Sequence, residues 1–190
     1  MSTTSDPSAP ARRQFFWEKK FRGATPDGRD LAALRSGLGR GAGDVPALWP
    51  YYTRLRANGY VSQELHAEHA ALGLFAVHQQ SQPTLMHHLG VGLGTAMSTL
   101  RISGKFSADA VDRRFAAAAT ATSFIEVTLH LRGLVAQLRG IRQPMDYTSL
   151  LFDLRDWQDD DKAHAVRRRW GSQYFTHRDQ AEPPPDSPSA

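Results

Sequence analysis

Along most of the chain the apolar positions recur every three or four residues, and no stretch alternates cleanly between apolar and polar. That is the period of a helix and not of a strand. It predicts helices over Gln14–Arg22, Asp27–Gly37, Val45–Ala57, Ser62–Gln80, His88–Leu100, Ala108–Thr120, Phe124–Gly140, Tyr147–Gln158 and Asp161–His177. Breakers fall between them: GATPDG, GRGAGD, NGY, QSQPT, ISGKFS, IRQPMD and QDDDK. Ser62 and Ser107 stand where N-caps belong. The expected fold is all-α, a compact bundle of eight or nine helices, with QSQPT at 80–84 the place where two small helical lobes would divide.

The segment 124–140 carries the clearest pattern. At about 100° per residue, Phe124, Val127, Leu131, Leu134, Val135 and Leu138 fall on one face. Arg132 and Arg139 lie at the border of that face, seven residues apart on one stripe, and Arg142 follows shortly after. No Asp or Glu occurs between Glu126 and Asp146, so the stripe has no carboxylate on its own helix. Nor does one occur from His69 to Ala108, which leaves Arg101 and Lys105 without an expected local partner.

Charge sharpens this picture. Lys and Arg number 23 against 19 Asp and Glu. Residues 1–11 and 179–190 are rich in Ser, Pro and Ala and read as disordered tails flanking a single domain at 12–178. The tails hold four of the acids (Asp6, Asp179, Glu182, Asp186) and no base, so the domain carries 23 bases against 15 acids. Such an excess favours a polyanionic partner. Cysteine is absent, which removes disulfides, thiolate metal sites and cysteine nucleophiles. No apolar run approaches 18 residues and no secretion signal opens the chain, so a cytoplasmic protein without a membrane partner is expected.

Catalytic motifs fail on spacing. In HAEHAALGLFAVH (66–78), His66 and His69 are three apart, whereas a zincin needs two histidines four apart. LGVGLG (89–94) lacks the dinucleotide spacing and a preceding strand. Gly90 and Gly94 are read instead as points of close helix approach. DLRDWQDDD (153–161) concentrates five carboxylates, but the last three precede a helix, where acids favour the positive end of its dipole. Of Arg167, Arg168 and Arg169, at least one is expected to pair with these aspartates. Trp49, Trp157 and Trp170 fall in amphipathic patterns and are expected in the core, leaving the aromatics of PYY (50–52) exposed.

Several phrases in order then carry a resemblance: LAALRSG (31–37), VPALWPYYTRL (45–55), LFAVHQQ (74–80), LGVGLGTAMSTL (89–100), VDRRFAAAATA (111–121), HLRGLVAQLR (130–139), PMDYTSLLFDLRDW (144–157) and VRRRWGSQYF (166–175). Over roughly residues 25–176 the chain resembles the CasB family, the small subunits of the type I-E CRISPR surveillance complex, Cascade. The resemblance implies an all-helical, non-enzymatic subunit without cofactor or metal, present in two copies. Its implied partners are the backbone subunits, the large subunit, a second copy of itself, the crRNA–target DNA hybrid and the displaced DNA strand. Sequence would then be read by guide pairing, and the subunit would supply positive charge along a strand of the R-loop. The candidate nucleic-acid-binding residues are Arg101, Lys105, Arg113, Arg114, Arg132, Arg139 and Arg142. Two other readings compete: a helical protein-interaction adaptor with a basic face, and a Mg²⁺-dependent nuclease using Asp153, Asp156 and Asp159–Asp161.

Overall fold

The computed structural model describes residues 14–181, with side chains as far as Thr176. The expectation of disorder at 1–11, and the 182–190 part of that at 179–190, lie outside these residues, while 179–181 are helical and not disordered. Among the described residues there are seven α-helices: α1 (Gly28–Arg35), α2 (Gln63–Gln79), α3 (Leu93–Ile102), α4 (Ala108–Ala119), α5 (Phe124–Gly140), α6 (Tyr147–Trp157) and α7 (Asp160–Ala181). Two 3₁₀ turns, Phe16–Glu18 and Pro46–Tyr51, complete the regular structure. Among the described residues the only β-type pairing is the single bridge between His87 and Met145, so the all-α expectation holds.

Helix starts follow side-chain chemistry. Ser62 accepts from Leu65 N–H and Ser107 from Ala110 N–H, as their positions predicted. Ser123 accepts from Glu126 N–H at 3.1 Å, while the Glu126 carboxylate turns back to Thr122 N–H at 2.7 Å. α5 buries Val127, Leu131, Leu134, Val135 and Leu138, the expected face.

Three elements depart from expectation. Gln14–Arg22 is not a helix: only Phe16–Glu18 form a 3₁₀ turn, after an extended Phe15, and Phe15, Phe16 and Trp17 are all buried. The chain runs extended into a single turn, which lets all three rings enter the core, and Trp17 Nε1–H donates to Thr148 Oγ1 at 3.0 Å. Val45–Ala57 shortens to a 3₁₀ turn holding Pro50, which has no N–H to continue a ladder. With that helix lost, Trp49 is half exposed, its Nε1–H donating to Gly43 O, while Tyr52 is buried. Both reverse the expectation. α3 starts at Leu93 and not at His88, because His88 N–H donates to Met145 O and Asp146 N–H to Val91 O, holding that strip against the start of α6. At the far end α7 runs past His177 to Ala181.

The helices pack around one continuous core. His66, near the start of α2, stacks on Phe124 at the start of α5, and Arg139 at the end of α5 reaches Val77 and Gln80 at the end of α2. These two helices therefore run parallel. Gln63 meets Gln158 and His78 meets Tyr147, so α6 lies antiparallel to α2. α7 covers α3. A Cβ on Gly94 would sit 2.2 Å from the Trp170 carbonyl oxygen, so glycine is required for this approach, as expected. Gly90, by contrast, meets nothing and serves a turn at φ +83°.

Buried Glu68 fixes the segment after the 3₁₀ turn. Its carboxylate accepts from Thr53 N–H (2.7 Å), Thr53 Oγ1–H (2.6 Å) and Arg54 N–H (2.9 Å). Burial pushes its pKa up, against these donors. Glu68→Ala leaves buried donors without an acceptor and is expected to cost about 2 kcal/mol. Limited proteolysis should then cut within 53–61 well before the rest of the domain. Unchanged cleavage there would show that Glu68 does not hold the segment.

Candidate nucleic-acid interface

The short link at 120–123 folds α4 and α5 into a hairpin, so the start of α4 lies beside the end of α5. There Lys105 Nζ–H donates to the Gly140 carbonyl at 2.5 Å. Arg101 on α3 donates from Nε to Asp112 on α4 at 3.0 Å, and the Tyr174 hydroxyl of α7 bonds the same carboxylate. Asp112 thus ties three helices. Arg139 donates to the Val77 carbonyl at 3.2 Å and to Gln80 Oε1 at 3.1 Å.

Arg101 and Lys105 were expected to lack a local partner, and the partners they find are distant ones. Arg101 finds its carboxylate eleven residues ahead, across a helix junction. Lys105 and Arg139 find backbone oxygens. The last turn of a helix leaves up to four carbonyls unsatisfied, and cations are favoured there. Counting acids along a sequence misses such acceptors.

The side chains of four of the seven candidates make no hydrogen bond or ion pair within the described residues: Arg113 and Arg114 on α4, Arg132 on α5, and Arg142 beyond its end. All four are exposed. Arg142 holds φ +57°, in the left-handed region, where Gln143 N–H closes back on Leu138 O in the manner of a helix C-terminus. The backbone there turns the guanidinium outward at the end of α5. Arg132 lines a groove between α2 and α5.

A second basic segment escaped sequence reasoning. Arg54 and Arg56 are exposed beside Tyr60, with the Arg56 guanidinium 5.3 Å from the Tyr60 ring. Its signal is the pair of arginines before NGY in TRLRANGY (53–60), hidden by assigning that stretch to a helix.

The acids of 153–161 and His69 are placed as follows. Asp153 is buried, accepting from Trp170 Nε1–H at 2.6 Å and from Arg169. Burial raises its pKa while these donors oppose the shift. Arg169 is the expected partner from the arginine trio; Trp157 and Trp170 are both buried, as expected. Asp156 pairs with Arg155 and Asp159 with Lys162, and Asp160 and Asp161 open α7. His69 is set by Tyr52 Oη–H at 2.7 Å and the Gly37 carbonyl at 3.0 Å, and burial lowers its pKa. Among the described residues no three His, Cys, Asp or Glu side chains come together to hold a metal ion. Nor is any helix there long and apolar enough to cross a membrane.

Comparison with known proteins assigns first a class: this helical architecture is that of CRISPR-associated proteins. More narrowly, the profile of "CRISPR-associated protein Cse2" matches residues 30–175, and the chain belongs to that family. The crystal structure of CasB from Thermobifida fusca superposes with a TM-score of 0.63 at 28% identity, over 78% of this chain and 83% of that one. The Cse2-family protein of Thermus thermophilus gives 0.61 at 26% identity, over 78% and 86%. A chain of a CRISPR RNA-guided surveillance complex gives 0.62 at 24% identity, over 82% and 89%, and supports the fold. No curated protein sequence matches the chain.

Proposed function

We propose that the protein is a non-catalytic structural subunit of a type I-E CRISPR RNA-guided surveillance complex, in which exposed arginines of the α4–α5 hairpin hold target or displaced DNA. Arg113, Arg114 and Arg142 carry the contact. Arg101, Lys105 and Arg139 stand behind them and keep the supporting helices in register. The observation that supports this most is that the Arg113, Arg114 and Arg142 guanidiniums are exposed and make no hydrogen bond or ion pair within the described residues, while Arg101, Lys105 and Arg139 beside them are engaged. Unpaired arginines on rigid helices suit phosphate, which guanidinium grips in a fork. Base sequence need not be read, because guide pairing supplies it.

The test is the variant Arg113→Ala, Arg114→Ala, Arg142→Gly in the reconstituted complex. Glycine suits the backbone at 142, so the fold is spared. Assembly and melting should be unchanged, and target DNA should bind more weakly. The plot of log affinity against log salt should flatten by up to about 2, from roughly 0.7 per lost single-strand contact. Unchanged affinity with an unchanged salt slope overturns the proposal.

A further inference from the structure

A groove of about 490 Å³ runs between α2 and α5 beneath the glycine-rich loop 37–42. Leu38, Ala70, Leu74 and Phe124 line it, and Ile125 and Leu129 form its outer wall. Those two are one helical turn apart, and they are 80% and 66% exposed. Ordinary burial on α5 is satisfied by its opposite side, so this second apolar strip is not part of the core. Apolar patches rimmed by charge mark contact sites. The rim here is cationic: Arg40 and Arg132 line the groove, no Asp or Glu does, and neither guanidinium has a hydrogen bond or ion pair within the described residues.

We infer that this groove seats an apolar segment of a neighbouring protein subunit, and that the segment carries a carboxylate that Arg132 or Arg40 receives. Charge complementarity selects this occupant. Residues 1–13 and 182–190 hold no large apolar side chain except Met1, so these two segments do not match the groove's apolar lining. A two-fold contact with a second copy would bring one cationic rim against the other, since both sides of such an interface are the same patch. Nucleic acid is disfavoured by the lining, because bases stack on open aromatic faces. The three rings that line it are already engaged: Phe124 is stacked on His66, and His69 is held by Tyr52 and the Gly37 carbonyl. An amphipathic segment presenting two or three apolar side chains at helical spacing fits instead.

The inference rests on the chain being a subunit of an assembly, and the experiment separates the two ideas. The full chain carrying Leu129→p-benzoylphenylalanine is expressed in its host with the rest of the complex, purified and irradiated, and the cross-linked peptide is sequenced. The expected product is a peptide of another protein subunit with spaced apolar residues and an Asp or Glu within one turn of them. Arg132→Glu combined with Arg40→Glu should then reduce retention of the chain in the complex by about tenfold, and Lys in place of that partner carboxylate should restore it. Both arginines are exposed, so melting of the isolated variant should be unchanged. Cross-links to nucleic acid, to residues 1–13 or 182–190, or to a second copy each overturn the inference. So does the absence of any cross-link, or a charge reversal without effect. If the chain enters no complex at all, the functional reading falls together with this one. If the complex forms and the DNA variant behaves as expected while position 129 stays silent, only this inference falls.

Discussion

Gly94→Ala is expected to lower the melting temperature by about 6–12 °C. An added Cβ would lie 2.2 Å from the Trp170 carbonyl oxygen, 2.7 Å from Gln173 Cβ and 3.0 Å from the Tyr174 amide nitrogen. All three belong to α7, and two are backbone atoms that cannot swing aside. Either α7 retreats from α3 or both helices bend, and overpacking of this kind costs up to about 3 kcal/mol or more. In a chain of this length each kcal/mol moves the midpoint by about 2–4 °C. Gly133→Ala is the control. It lies within α5 on an exposed face, and a Cβ there meets nothing within 4 Å. Alanine at that position should stabilise by roughly 0.5–1 kcal/mol through helix propensity alone. Equal melting of the two variants would mean that α7 does not sit on α3 as described.

The second large effect is on acid stability. His78 is fully buried between α2 and α6, its Nδ1 2.9 Å from the Tyr147 hydroxyl. That hydroxyl also faces the Leu74 carbonyl at 3.4 Å. Nδ1–H donating to the hydroxyl oxygen, with the hydroxyl donating on to Leu74, satisfies both groups. Nε2 is buried and has no hydrogen-bond partner among the described residues. A proton placed there would put a charge in the core. Burial accordingly pulls the pKa from 6.5 down to about 4; the Gln143 backbone opposes this in part, and Arg139 adds a smaller push downward. The folded-state value lies below the unfolded one, so between these limits the unfolded chain takes up a proton that the folded chain refuses. Stability present above pH 6.5 is therefore lost as pH falls towards 4, by about 3 kcal/mol for this one group. Buried Glu68 and Asp153 act in the opposite sense, since burial raises their pKa values and protonation then favours the folded state. A difference experiment isolates the histidine. Wild type and His78→Gln are unfolded in urea at pH 7 and pH 4. The advantage of the wild type at pH 7 should shrink by about 3 kcal/mol at pH 4. A constant difference would mean that His78 takes up its proton in the folded state as readily as in the unfolded one.

How much of this was legible depended on whether the deciding contact was local. The buried face of α5 and the caps at Ser62 and Ser107 follow from residues within a turn or two, and sequence reading located them. Gly94 was singled out because a small residue at helical spacing has few other uses there. The aromatic run Phe15–Trp17 was misread because its partners, Thr148 and Tyr147, lie more than 100 residues away. The arginines divide on the same principle. Arg139 looked unpaired because its acceptors are oxygens at the end of another helix, 59 and 62 residues earlier. Arg113, Arg114 and Arg142 looked the same in sequence and are exposed in the fold. Local charge counting cannot separate the two groups, because which helix end faces which side chain is decided by packing.

The α3–α7 contact also bears on how the chain is made. Leu93, Met97 and Leu100 of α3 are buried in a core to which α7 contributes Trp170 and Tyr174. Trp170 follows Gly94 by 76 positions, and at synthesis rates of about 5–20 residues per second this is a wait of roughly 4–15 s. Throughout that interval the apolar side of α3 is without its cover while α4, α5 and α6 are being added. Long-range closure of this kind slows folding and leaves an adhesive surface open to other nascent chains. Chains stalled or truncated before Trp170 should therefore be the ones that aggregate or are held by chaperones, whereas loss of residues beyond Ala181 leaves this closure intact.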